Sequence, residues 1–365
     1  MKLQRHGTLA CLALTATLAL SACGSDNNEP ASSASGSAAA DCATGTLNAQ
    51  GSSAQKNAMD EWIKAYQQKC SGAKINYEPS GSGAGIQAFI AGTADFAGSD
   101  SALKEEEQPQ ANAKCVGGAA INLPMVIGPV AIAYNVNGVD NLQLKPATLA
   151  KIFAGKVTRW DDPAIKADNP DAKLPSTAIN AVHRSDSSGT TDNFTDFLTK
   201  TAASDWTFGK AKEWKAPGGT GAAKSDGVAS AIKNQDGTIG YVEWSYAENG
   251  GLKTAKVGNG AGEFAALTAE SAGKTIAGAE VVGQGDDLKM KIDYNTKEAG
   301  AYPIVLVTYE IVCSKGLPAD KLPLVKGFLG HAASTEGQAD LTELGYAPLP
   351  ESVRAKVEAA VKNLA

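Results

Sequence analysis

Histidine is nearly missing from this chain: 3 among 365 residues, with only His183 and His331 beyond the first ten positions. That scarcity leaves little material for a His-based general base or a zinc site. No HExxH string, GxSxG elbow or GxxxxGK-Ser/Thr phosphate loop occurs either. Basic residues are in deficit, 33 Lys and Arg against 39 Asp and Glu, and they form no stripe, which argues against nucleic acid as a partner. Internal repeats and long apolar runs are absent after Leu20, so neither a solenoid nor a membrane-spanning helix is expected there. Cysteine is sparse, at 6 residues, with no pair spaced for a metal.

What is present begins with a charged start (Lys2, Arg5), an apolar run from Leu9 to Leu20 and a small-residue stop. This is the anatomy of a signal peptide, and the run is too short to span a bilayer. The closing Leu20-Ser21-Ala22-Cys23 resembles a bacterial lipobox, in which residues 1–23 hold the leader and its lipid-accepting Cys23. Residues 24–41 are too poor in apolar side chains to order themselves and read as a flexible tether. Without Lys2 and Arg5, 31 basic residues face 39 acidic ones, a net charge of about −8. Any bound anion must therefore be held by local geometry rather than by bulk charge. With Cys11 in the leader and Cys23 at the anchor, Cys42, Cys70, Cys115 and Cys313 remain, an even set that suits two disulfides in an exported protein.

Three segments share one design: a β-like run, a Gly/Ser-rich turn, then a helical pattern. Thr46–Gln50 leads through Gly51-Ser52-Ser53 to Met59, Trp62, Ile63, Tyr66 and Cys70 at helical spacing. Lys74–Glu78 leads through Ser80–Gly85 to Ile86, Phe89 and Ile90. Ile179–Val182 leads through HRSDSSGTT (183–191) to Phe194, Phe197 and Leu198. Strands alternating with helices predict α/β layers. The apolar runs 121–136 and 302–313 read as buried strands, far apart in sequence as if the chain leaves one lobe and returns to it. Val353, Val357, Ala360, Val361 and Leu364 fit a closing helix.

A helix N-terminus carries four unpaired N–H groups and about half a positive charge, so three such turns can converge on one oxyanion. Each turn alone reads more readily as plain capping. The third differs because Arg184 precedes it, able to make charge-assisted bonds to an anion while Asp186 orients the guanidinium. Asp100 closes the run Asp95–Asp100. An ionised carboxylate there accepts a hydrogen bond from an anion that keeps a proton, such as phosphate, and repels sulfate, which has none. Its alternative role is a cap for residues 101–104. His183 abuts Arg184 on an alternating strand and should point the other way, toward packing or solvent.

GSS (51–53), PSGSGAGI (79–86), DFAGSD (95–100) and RSDSSGTT (184–191) resemble the ligand motifs of the periplasmic phosphate-binding proteins of Pst-type ABC transporters. RWDDPAI (159–165), DGVASAI (226–232), GTIGYVEWSYA (237–247) and LGYAPLPESV (344–353) follow the same family pattern outside the site. The resemblance runs from Thr46 to the C-terminus. It implies a two-lobed α/β fold of the type II periplasmic binding protein class, with an inter-lobe phosphate cleft.

By motif, Ser53, Ala54, Ser82 and Asp100 come from the first lobe and Arg184, Ser188, Gly189 and Thr190 from the second, with Asp186 as the partner of Arg184. One departure is Ala54, where many relatives have Phe; a backbone N–H survives that change. The expected organisation is lobe I over 42–128, lobe II over 129–301, and a return to lobe I over 302–365. Hinge crossings are expected near Gly128-Pro129 and Ala301-Tyr302. Strand ends pair Cys42 with Cys70, both at the edge opposite the binding turns, and Cys115 with Cys313 if the two long strands run antiparallel.

The expected activity is a lipid-anchored, extracytoplasmic, monomeric receptor that hands inorganic phosphate to the permease subunits of an ABC importer. Neither an enzymatic role, a metal nor a cofactor is implied. The alternative is a receptor for another oxyanion, sulfate or a phosphonate, on the same fold.

Overall fold

A computed structural model describes residues 42–365. The leader, Cys23 and the tether to residue 41 lie outside the described residues. The first stretch runs β1 (Gly45–Gly51), α1 (Lys56–Lys69), β2 (Ala73–Glu78), α2 (Ser82–Ile90), β3 (Phe96–Ser99), α3 (Gln108–Lys114) and β4 (Ala120–Asn135). The middle holds β5 (Gln143–Leu144), α4 (Pro146–Phe153), α5 (Pro163–Asp168), β6 (Asn180–Arg184), α6 (Gly189–Thr201), β7 (Thr220–Ala222), α7 (Lys224–Asn234), β8 (Thr238–Glu243) and α8 (Trp244–Gly250). Short strands β9 (Lys253–Thr254), β10 (Lys256–Gly258) and β11 (Phe264–Ala265) follow, then α9 (Ala269–Ala277), β12 (Glu280–Val281) and β13 (Met290–Lys291). The chain closes with β14 (Val305–Cys313), α10 (Leu322–Ala333), α11 (Thr335–Ala339) and α12 (Glu351–Asn363).

The main sheet has the order β2-β1-β3-β14-β4-β8-β6-β7. Its two halves share β4: residues up to Pro129 pair antiparallel with β14, and Val130 onward pairs with β8. In the first half β1, β2 and β3 are parallel, and in the second β6, β7 and β8 are parallel. The turns after them therefore gather at the carboxyl edge of each half, where open α/β sheets bind their ligands. The result is a mixed α/β architecture whose two halves are joined along β4.

The periodicities that predict the elements have their physical cause in burial. Met59, Trp62, Tyr66 and Cys70 are buried along α1, while Ile63 is only partly so. Phe194, Phe197 and Leu198 are fully enclosed, with Phe194 stacked on Tyr241 at 4.4 Å and Phe153 edge-on to it at 4.8 Å. The second long strand starts at Val305 rather than 302. Pro303 offers no N–H to a ladder, and Tyr302 instead sends its hydroxyl to the Val130 carbonyl at 2.7 Å. Both disulfides follow from strand register. Cys42–Cys70 joins the entries of the parallel pair β1 and β2, and Cys115–Cys313 ties the ends of the antiparallel pair, each with a Cα separation of 5.2 Å.

Candidate functional site

Arg184 ends β6 and is 2% exposed. Its Nε donates to Asp186 Oδ1 at 2.7 Å and its second fork nitrogen donates to Oδ2, a bidentate pair that fixes the guanidinium plane. Asp186 also accepts the Lys224 amide at the start of α7, at 2.9 Å. Burial pushes the Asp186 carboxyl up, but the Arg184 guanidinium and the Lys224 amide outweigh it and hold it below the usual carboxylate range. Ser188 caps α6, its Oγ accepting the Thr191 amide at 3.2 Å, and Gly189 and Thr190 form the first buried turn. Arg184 also reaches toward Thr190 Oγ1 at 3.5 Å. His183 leaves β6 on the opposite face and stacks on Trp214 at 4.8 Å.

From the first half, Ser82 opens α2 behind Gly81, whose φ of 101° favours glycine. The Asp100 amide donates to Ser82 Oγ at 3.1 Å, and that hydroxyl donates to Asp100 Oδ2 at 3.3 Å. Asp100 is 3% exposed, and its Oδ1 accepts from Ser52 Oγ and from Thr308 Oγ1 at 2.9 Å. Burial raises its pKa, and the Ser52, Thr308 and Ser82 hydroxyls and the Arg184 charge pull back without cancelling the rise. Asp100 is not a helix cap, because residues 101–104 are not helical and α3 begins only at Gln108.

The two serines of the first turn part company. Ser52 Oγ donates to Asp100 Oδ1, and the Ala54 amide donates to Ser52 Oγ at 3.0 Å. Ser53 faces α7 instead, its Oγ accepting the Ser225 amide at 3.1 Å and lying 3.0 Å from Ser225 Oγ. The Ser53 carbonyl accepts Tyr246 Oη at 2.8 Å and the Ala54 carbonyl accepts Tyr346 Oη at 2.6 Å. Polar residues inside the apolar run 302–313, Thr308 and Glu310, were the available signal for Thr308. Ser225 carried no signal beyond its place before DGVASAI.

The junctions from the two halves meet. Gly83 N donates to the Ser187 carbonyl at 3.0 Å, and Asn193 Nδ2 donates to the Asp100 carbonyl at 2.7 Å. Gly189 comes so close that a Cβ there would stand 2.5 Å from Ser82 Oγ and 2.6 Å from Asp100 Cβ. A fourth helix start, α7, joins them through Lys224 and Ser225. The result is one guanidinium, one buried carboxylate, several hydroxyls and several helix N-termini gathered in one donor-rich cluster, chemistry that suits a small anion. Among the described residues, no three His, Cys, Asp or Glu side chains group to hold a metal ion.

A family model described as the PBP superfamily domain matches residues 36–336. Phosphate-binding protein PstS 3 of Mycobacterium tuberculosis is 43% identical to this chain over 372 aligned residues, with 100% of both chains covered. PstS of Pasteurella multocida is 35% identical over 327 residues, covering 87% of this chain and 90% of its own. Among solved structures, a high affinity periplasmic phosphate-binding protein bound with phosphate matches with a TM-score of 0.70 and 23% identity, covering 86% of this chain and 93% of its own. A phosphate-binding protein from Stenotrophomonas maltophilia matches with a TM-score of 0.69 and 21% identity, covering 86% of this chain and 93% of its own.

Proposed function

The chain belongs to the PBP superfamily and to its PstS phosphate-binding proteins, and from that premise we propose that it is an extracytoplasmic receptor that binds inorganic phosphate between two lobes and delivers it to the permease subunits of an ABC importer. The observation that carries this reading is the meeting of Arg184 and the α6 N-terminus with Ser82 and Asp100 across Gly189. Arg184, Ser188, Gly189 and Thr190 supply the cation and donors on one side. Ser53, the Ala54 amide, Ser82 and Asp100 complete the cage on the other, and Asp186 keeps Arg184 aimed. Ser52 joins this set as the hydroxyl that bonds Asp100.

Asp100 is the group that separates phosphate from sulfate. Its Oδ1 takes donors from Ser52 and Thr308, which favour the ionised carboxylate, while Oδ2 takes only the Ser82 hydroxyl at 3.3 Å and keeps a second lone pair for the proton that hydrogen phosphate retains. Sulfate would set lone pair against lone pair there.

Hinge motion between lobe I (42–128 and 302–365) and lobe II (129–301) opens and closes the cleft. The change of partner along β4 between Pro129 and Val130 supports the first crossing. The bond from Val130 N to the Ile304 carbonyl at 2.8 Å supports placing the second beside it. The protein is a monomer tethered through lipid on Cys23.

Isothermal titration of the purified receptor with inorganic phosphate in the presence of excess sulfate tests the function. Tight one-to-one binding unaffected by sulfate is expected, and competition by sulfate at comparable concentration would point to the broader oxyanion receptor instead.

A further inference from the structure

The anion site leaves Glu310 unexplained. It lies on β14 two residues beyond Thr308, so it leaves the strand on the same face as the threonine that bonds Asp100. Its backbone stands opposite Gly98, two residues before Asp100. The side chain is fully buried, yet neither carboxyl oxygen has a hydrogen-bond donor. Gln55 lies beside it, also fully buried, and Gln55 Oε1 is equally without a partner.

The orientation of Gln55 is set from its other end. Tyr77 gives its single hydroxyl proton to the Ser52 carbonyl at 2.8 Å, so its oxygen must accept, and Gln55 Nε2 donates to it at 2.9 Å. Glycine at 98 makes the room, since a Cβ there would fall 2.0 Å from Gln55 Nε2 and 2.4 Å from Tyr77 Oη. Gln55 Oε1 and both Glu310 oxygens are thus buried acceptors that no donor reaches, and an ionised Glu310 would be a buried charge without a partner. The titratable groups around it act in the same direction. Asp100 from the end of β3 opposes a second negative charge, Tyr77 on β2 is neutral, and Arg184 is already committed to Asp186. Burial first, then Asp100, push the Glu310 carboxyl up to about 8 against the pull of Gln55.

We propose that Glu310 is held protonated beneath the anion site and that loss of this proton sets the alkaline limit of phosphate binding. While it keeps this proton Glu310 adds no charge next to Asp100, whose partner Thr308 leaves β14 on the same face. The inference rests on the phosphate reading and deepens it. A bound anion raises the cost of ionising Glu310 further, so the Glu310 proton is held more tightly with ligand than without. Affinity is then full while Glu310 is protonated in both states. It falls as pH rises through the value of the free protein, by up to about tenfold per pH unit until the bound form also ionises.

The test is isothermal titration of the full chain with inorganic phosphate at constant ionic strength from about pH 6 to about pH 10, for the wild type and for Glu310→Gln, a neutral side chain of the same shape. The two should agree within about threefold near pH 6.5. By about pH 9.5 the wild type should have lost about tenfold while the variant changes little. Parallel profiles would overturn the inference. Should the variant not fold, the wild type alone decides: titrations near pH 8.5 in buffers of different ionisation enthalpy should reveal proton uptake on binding, and zero uptake overturns the proposal. A wild type that binds no phosphate at any pH refutes the receptor reading itself, a distinguishable outcome.

Discussion

Gly189→Ala probes the approach of the two halves without disturbing either one. Gly189 is the first residue of α6 and does not have a positive φ, so alanine suits its backbone and the helix. The added Cβ would stand 2.5 Å from Ser82 Oγ, 2.6 Å from Asp100 Cβ and 2.9 Å from Asp100 Oδ2. Carbon contacts are comfortable only from about 3.5 Å, so the turn after β6 must retreat by roughly 1 Å from α2 and Asp100. That retreat stretches three bonds between the halves: Gly83 N to the Ser187 carbonyl at 3.0 Å, Asn193 Nδ2 to the Asp100 carbonyl at 2.7 Å, and Ser101 Oγ to Asp192 Oδ2 at 2.7 Å. At about 1 kcal/mol each, their loss weakens the closed form by about 3 kcal/mol, or roughly a hundredfold in the Kd for phosphate. Titration calorimetry measures the affinity, and a thermal melt without phosphate checks that the fold is intact, with Tm expected within a few degrees of wild type. A Kd within threefold of wild type would refute the reasoning, because it would mean that this approach of Gly189 to Asp100 is not part of the binding form.

Arg184→Ala should weaken phosphate binding about a hundredfold or more, since a charge-assisted partner in a buried site is lost; Arg184→Lys should recover little, because one ammonium cannot engage both Asp186 oxygens and an anion as the fork does. Asp100→Asn should reduce phosphate affinity more than sulfate affinity in parallel titrations, and an equal effect on both would contradict a proton-reading carboxylate. Opening Cys115–Cys313 by serine substitution should cost more stability in urea melts than opening Cys42–Cys70: the first closes a separation of 198 residues and the second one of 28, and chain entropy sets roughly 5 against roughly 3.5 kcal/mol.

Much of the fold was legible because its signals are short-range. The 3.6-residue spacing of Met59, Trp62 and Tyr66, the glycines ahead of α2 and the Ser188 cap before Gly189 all act within a few residues of one another. The ordering of strand, turn and helix was readable for the same reason, and it placed the turns at one edge once the strands were parallel. The disulfide pairs were legible at one remove, from which strand ends must neighbour one another. The separate partners of Ser52 and Ser53 were not, because adjacent hydroxyls in GSS look alike until the turn geometry sends one to Asp100 and the other to Ser225.

The amino-acid order alone determined the local units, the donors they expose and the presence of a single arginine among them, because caps, turns and amphipathic faces are satisfied within one helical turn. Only the tertiary structure decided which of these groups share a site. Thr308 reaches Asp100 across 208 residues of chain and Ser53 reaches Ser225 across 172. Such meetings depend on how the halves of the sheet are joined along β4 and β14, and no window of sequence contains that. The same holds for Glu310: its charge state follows from its burial and from Asp100, which the chain brings in at the end of β3.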